Sequence, residues 1–353
     1  MLHQPGSKTL LTFPGPTRVL IVSDAWVPQV NGVVRTLSAI ADELRAMGKT
    51  VEIIGPDRFN TIPMPSYPEI RLAIFPGPKL ARLIEAYAPD ALHIATEGPL
   101  GLAARKYARK RNIAFTTAFH TRFAEYLQAR TRIPTGLTYA WLRRFHGAGA
   151  GVMVATQSLR DELTARGFKN VRAWSRGVDL DAFHPEPRED WHLPRPIFTY
   201  VGRVAVEKNL RAFLDLQLPG SKLVVGDGPQ RRALEREYPD VHFAGARHGA
   251  ALAAAYAGAD VFVIPSRTDT FGLVVLEALA SGLPVAAYPV TGPLDILSES
   301  SRPVGALNED LRQAALDALT IDRTACRPHA ETYSWTTCAT RFLDNLVPTQ
   351  SYA

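Results

Sequence analysis

RVLIVS (Arg18–Ser23) is a continuous apolar run of strand length. A glycine-bearing turn follows it, then VVRTLSAIADELRAMG, whose apolar residues recur at helical spacing up to Gly48. The same beat returns through TVEIIG, EIRLAI, DALHIAT, IAFTTAFH and GVMVAT, with helical stretches between most of them. Parallel strands need crossover connections, and helices that supply them cover both faces of the sheet. Apolar strands alternating with helices therefore predict a doubly wound parallel sheet. The beat breaks at SRGVDLDAFHPEPREDWHLPRP, which is rich in Pro and charge and reads as a linker. It restarts with PIFTYVGR, SKLVVGDG, VHFAG, ADVFVIPS and LPVAAY. Helices are predicted from Asn209, over ALEREY, over ALAAAYAG and over LVVLEALASG, and YSWTTCATRFLDNLV reads as a last amphipathic helix.

The expected fold class is α/β, with two doubly wound domains facing a central cleft and ligands at the carboxyl ends of the strands. A chain of 353 residues suits two domains. The expected boundaries are an extension over 1–17, a first domain over 18–180 and a second over 181–332. A terminal helical segment, 333–353, is expected to turn back toward the first domain. The opening MLHQPGSKTLLTFPGP lacks a basic start before an apolar core, so it reads as a loose extension and not as a secretion signal. No apolar run reaches bilayer-spanning length. Two cysteines, Cys326 and Cys338, make no disulfide framework and favour a reducing cytoplasm.

Net charge is +6, and it is concentrated. Between Gly101 and Ala150 stand ten Lys/Arg, among them Arg130, Arg132, Arg143 and Arg144, against one acid, Glu125. Phe123, Tyr126, Tyr139, Trp141 and Phe145 are interleaved with them. Such a window can attract anionic lipid or nucleic acid. It can equally be a solvated helix surface over core aromatics.

The densest chemistry lies in PSRTDTFGLVVLEALASGLPVAAYP (Pro265–Pro289). A strand ends at VFVIPS, and Phe271, Gly272 and Leu273 open the next helix. Backbone N–H groups there favour an anion such as phosphate, and Gly272 allows close approach. Glu277, inside an otherwise apolar run, can accept hydrogen bonds from two neighbouring ribose hydroxyls, while Asp269 can reach a sugar hydroxyl. Taken alone, Asp269 as a helix cap and Glu277 on a wet face explain the stretch equally well. VGRVAVEKN adds Arg203 after a strand and Lys208 at a helix entrance, two cations suited to a diphosphate whose charge grows as it leaves. GDGPQ carries two glycines of a dinucleotide fingerprint but Arg231 in place of the third, which argues against nicotinamide.

GRVAVEKN, VVGDGP and PSRTDTFGLVVLEALASGLPV, in that order, resemble the nucleotide-sugar glycosyltransferases of the GT-B fold, retaining family 4. SDAWVPQVNGVVRTL, HIATEGPLG, TAFHTRF and SRGVDLDAFHP extend the resemblance over nearly the whole chain after residue 17. It implies two Rossmann-like domains and retention of configuration without a metal or other cofactor. The family's paired carboxylates fall on Asp269 and Glu277, the first being Asp where Glu is usual. The resemblance implies that Glu277 holds the ribose and that Arg203 and Lys208 bind the diphosphate with the N–H groups of Phe271, Gly272 and Leu273. It places Gly32 near the phosphates and the transferred sugar, and His120 near the reacting carbon. A lone histidine is by default structural, but the AFHT context at a strand end favours the functional role. Asp179 and Asp181 form a D-x-D that binds metal in another glycosyltransferase fold. Here the pair lies in the interdomain segment and reads as structural.

The wording is similar to that of bacterial diacylglycerol glycosyltransferases, sulfoquinovosyl-diacylglycerol synthases and GDP-mannose-dependent lipid mannosyltransferases. The expected partners are therefore a nucleotide-sugar donor, a lipid acceptor such as diacylglycerol and an anionic membrane surface, touched by Arg130, Arg132, Trp141, Arg143 and Arg144. The favoured donor is UDP-glucose or UDP-glucuronate, with GDP-mannose or a soluble or polysaccharide acceptor as alternatives. A bacterial enzyme on the cytoplasmic face of the cell membrane follows. No recognised nucleic-acid motif accompanies the basic window, so nucleic acid is not an expected partner.

Overall fold

The computed structural model describes residues 15–29, 31–64, 67–120, 122–125, 128, 133–185, 189–267 and 271–349. Asp269, Arg130, Arg132 and Tyr126 lie outside the described residues. The chain divides into two compact units. The first holds the described residues up to Ala118, Trp141–Met153 and those from Ala339 onward, and the second holds Phe119–Ala140 and Val154–Cys338.

In the first half, the strands are β1 (Arg18–Val22), β2 (Thr50–Ile54), β3 (Thr61–Met64), β4 (Tyr67–Ala73), β5 (Ala91–Ile94), β6 (Thr116–Phe119), β7 (Gly151–Val154) and β8 (Val171–Ala173). One six-stranded sheet runs β2-β1-β5-β6-β7-β8, with β1 parallel to both β2 and β5. Val19 to Val22 are fully buried, as a strand covered on both faces requires. The helix Gly32–Ala46 turns Val34, Leu37, Ile40, Ala41 and Leu44 inward at three- and four-residue spacing. Asn31 caps it, its Oδ1 accepting from the N–H groups of Val33 and Val34 at 3.0 Å each. EIRLAI departs from the expected parallel sheet: it lies in β4, which pairs antiparallel with β3 in a sheet of its own. Too few residues separate β3 from β4 for the crossover a parallel pair needs.

The second half contains β9 (Ile197–Val201), β10 (Ser221–Val225), β11 (His242–Gly245), β12 (Val261–Ile264), β13 (Val285–Ala287) and β14 (Gly305–Leu307). They form a parallel sheet in the order β11-β10-β9-β12-β13-β14. The order reverses between β9 and β12, the topological switch point at which such sheets bind ligands. The Pro-rich linker is anchored to this sheet. Phe183 and Trp191 are buried in its core, and the Phe183 ring meets Tyr256 edge-on at 5.9 Å.

In the part of the C-terminal helix Trp335–Asn345 that belongs to the first unit, Phe342 stands edge-on against His93 of β5 at 4.9 Å, and Pro348 beyond it bridges Ala91. Among the described residues no helix is long and apolar enough to cross a membrane.

Candidate functional site

Two loops leave the carboxyl ends of the switch-point strands β9 and β12, and they carry most of the residues assigned to the donor. After β9, Gly202 N–H donates to Val225 O, and the Tyr200 hydroxyl donates to Arg203 O at 2.9 Å. Arg203 is exposed. A single 3₁₀ turn, Val206–Lys208, ends at Asn209 in the left-handed region, φ 53°. Asn209 Nδ2 donates to Pro265 O at 3.1 Å, which ties the Lys208 loop to the end of β12. Gly226 and Gly228 brace the same edge. A Cβ on Gly226 would stand 1.9 Å from Gly202 O, and one on Gly228 would stand 2.4 Å from Val204 O. Side chains there would push the cation-bearing loop away, so the glycines of GDGPQ serve strand-end packing.

Beyond β12, Phe271 is buried, and Gly272, at φ 83°, turns the chain into the helix Leu273–Ala280. Its first N–H groups lack intrahelical acceptors. Glu277 lies in the second turn, and the wet-face alternative does not hold: the residue is 2% exposed. Its Oε2 accepts from the Tyr256 hydroxyl at 2.9 Å. Tyr256 is itself fully buried, wedged between the rings of Phe183 and Phe262. The Tyr256 hydroxyl, held in apolar surroundings, thus helps to orient the carboxylate.

His120 follows β6. Its Nδ1 lies 3.2 Å from Nη2 of Arg176, and its ring meets that of Trp174 edge-on at 5.7 Å. Arg176 is 5% exposed, and burial pushes its guanidinium down to about 10, still charged at neutral pH. Sequence reasoning misses Arg176 and Tyr256. The one sits in a charged linker and the other in an alanine-rich helix, where nothing marks a partner. Asp179 Oδ1 accepts from the N–H groups of Asp181 and Ala182, which closes a turn in the D-x-D segment.

In the first unit, β1 and β5 form the corresponding switch point. Asp24, just after β1, accepts from the N–H groups of Leu100 and Gly101 at the head of the helix Pro99–Lys110, and from Thr96 Oγ1. Burial raises its pKa against those hydrogen bonds. Gly32 is exposed at the first position of the Asn31-capped helix.

Parts of the basic window serve internal structure. Arg105 donates to the carbonyls of Arg144 and Phe145, capping the helix Thr135–His146. Arg111 pairs with Glu85, and Arg122 with Glu162. Tyr139 and Phe145 are core residues. Lys106, Arg109, Lys110, Arg143 and Arg144 are exposed, as are Leu137 at 66% and Trp141 at 39%. A shallow pocket lined by Pro196, Asp260 and Pro284 lies at the amino ends of β9, β12 and β13, away from these loops.

Residues 30–182 match the family described as Glycosyltransferase Family 4, and residues 195–320 match Glycosyl transferases group 1. The chain is 34% identical over 313 residues to a GDP-mannose-dependent alpha-mannosyltransferase of Mycolicibacterium smegmatis, covering 80% of this chain and 82% of that protein. It is 26% identical to the alpha-monoglucosyldiacylglycerol synthase of Streptococcus pneumoniae, covering 86% of this chain and 78% of the other. A sucrose-phosphate synthase structure from Thermosynechococcus elongatus superposes with a TM-score of 0.72 at 21% identity, covering 92% of this chain and 97% of that one.

Proposed function

The chain belongs to glycosyltransferase family 4, has the GT-B fold and uses a nucleotide-sugar donor, and from that premise we propose that it transfers mannose from GDP-mannose to a membrane lipid. In this reading the reaction retains configuration and needs no metal. The observation that carries it is the switch-point assembly of the second sheet: Arg203 and Lys208 after β9, the Gly272-led helix after β12, and Glu277 buried against Tyr256. Arg203, Lys208 and the N–H groups of Phe271, Gly272 and Leu273 take up negative charge as the diphosphate departs. Glu277 accepts from the ribose. His120 and Asp269 touch the transferred sugar. Charge on the leaving group is thus met by side chains and backbone, which is why no metal is invoked.

GDP-mannose replaces UDP-glucose as the favoured donor because the mannosyltransferase relative matches at 34% over most of both chains. Nothing in the described residues favours a uracil base. That relative's alpha product has the anomeric configuration of GDP-mannose itself, which supports retention. The lipid acceptor is supported by the diacylglycerol-specific name of the pneumococcal relative and by the exposed Leu137, Trp141, Arg143 and Arg144. It would place the enzyme peripherally on the cytoplasmic face of the membrane.

The test is a transfer assay with diacylglycerol and its monoglycosylated forms in anionic liposomes, against GDP-mannose, UDP-glucose, UDP-glucuronate and UDP-galactose, with and without EDTA. Lipid products are read by mass. A mannosyl lipid formed equally well in EDTA is expected. A product from a UDP-sugar alone overturns the donor assignment, and donor hydrolysis without a lipid product overturns the acceptor.

A further inference from the structure

We propose that Arg176 is a positioning residue that holds the His120 imidazole as its Nε2–H tautomer, so that the ring meets the donor sugar as a hydrogen-bond donor and not as a base. The inference rests on the reading of His120 as a sugar contact. A guanidinium carries donors only. The 3.2 Å contact from Arg176 Nη2 therefore makes His120 Nδ1 the acceptor, and the ring proton sits on Nε2.

Arg176 is held on several sides. Its Nη1 donates to Trp174 O at 2.9 Å and to Ser175 O at 3.1 Å. Its guanidinium carbon lies 4.3 Å from the centre of the Trp174 ring, and Trp174 is fully buried. Cys338 Sγ donates to the same Ser175 carbonyl at 3.0 Å, fastening the segment to the helix Trp335–Asn345. Among the described residues no carboxylate pairs with Arg176, and a buried guanidinium without a counter-ion is costly. Two carbonyls, an indole face and an imidazole nitrogen are what this arginine meets instead. Base catalysis by His120 would need a lone pair on Nε2, which this tautomer lacks. The ring instead offers an N–H to a sugar hydroxyl in fixed orientation.

The tautomer is read by long-range ¹H–¹⁵N correlation at pH 7 on the full chain labelled at histidine nitrogen, with the His120 signals assigned by His120→Gln. The wild-type ring is expected as the neutral Nε2–H form, and Arg176→Met is expected to give mixed tautomers. With GDP-mannose and lipid acceptor, Arg176→Met should lower kcat about 10- to 100-fold, the loss known for partners that orient metal-bound histidines. KM for the donor should stay within about threefold, and Arg176→Lys, which keeps a donor and a charge, should recover part of kcat. A wild-type Nδ1–H or doubly protonated ring overturns the proposal whether or not the Met variant folds. So does an unchanged His120 spectrum in a folded Arg176→Met. If His120→Gln turns over at the wild-type rate while the spectra behave as expected, the sugar contact falls and the tautomer lock stands.

Discussion

The fully buried Tyr256 hydroxyl donates to Glu277 and helps to hold its carboxylate inside an otherwise apolar helix. Tyr256→Phe keeps the packing against Phe183 and Phe262 and deletes one hydrogen bond. The loss is about 1 kcal/mol, which appears as roughly a fivefold rise in donor KM if that bond aims the carboxylate at the ribose. Glu277→Ala removes the ribose acceptor itself and should raise KM at least about tenfold. A lower melting temperature with unchanged KM in both variants would make the pair structural. Cys326 offers a second check at this scale. Its thiol is fully buried, and burial pushes its pKa from 9.0 up to about 12. Above 9 the unfolded chain releases this proton and the native chain keeps it. The contribution is therefore complete below 9 and falls by about 1.4 kcal/mol per pH unit as pH rises through the window to about 12. Urea midpoints taken between pH 8.5 and 11 should fall less steeply in Cys326→Ala than in wild type. Parallel curves would mean that the thiol titrates normally in the fold.

At the scale of elements, the site depends on how closely the ends of β9 and β10 approach. Gly226→Ala sets a methyl group against Gly202 O at a backbone φ of 153°, and that carbonyl precedes Arg203. Overpacking and backbone strain together should cost about 2 kcal/mol or more and displace the arginine, lowering kcat along with stability. Gly249 is the control: its φ is 53°, but a methyl group there would have no neighbour within 4 Å, so Gly249→Ala should cost about 1 kcal/mol and leave kcat unchanged. Equal kcat in the two variants would separate the glycine bracing from the chemistry. These elements are unequally legible in the sequence. β9 and β12 announce themselves as apolar runs ending in turn residues, and the loops after them hold Arg203, Lys208, Gly272 and Glu277, so half of the candidate site can be read from the chain. β14 is three residues long, begins with glycine and has no apolar run to reveal it. Arg176 is hidden for a different reason: its significance is a partner 56 residues away, and contact at that separation leaves no local pattern.

For the whole molecule, the question is which part of a net charge of +6 is available to a membrane. Arg105, Arg111 and Arg122 are engaged with carbonyls and carboxylates of the chain itself, so the basic window overstates the free surface charge. What remains exposed has an amphipathic order. Leu137 and Trp141 stand one turn apart on the helix Thr135–His146, with Arg143 and Arg144 in its last turn. Arg105 fastens that turn to the helix Pro99–Lys110, which presents Lys106, Arg109 and Lys110. Each cation near an anionic bilayer contributes about 1 kcal/mol, and the apolar pair can enter the headgroup boundary. Reversing Arg143 and Arg144 to Glu should lower binding to phosphatidylserine-rich liposomes at least about tenfold, an effect that fades at high salt. Leu137→Ser with Trp141→Ser should lower binding by an amount that salt does not remove, because apolar burial is not screened. Both variants should keep wild-type donor affinity, since neither touches the loops after β9 and β12. Unaltered sedimentation of both with liposomes would detach this surface from the membrane and leave the lipid acceptor to be delivered some other way.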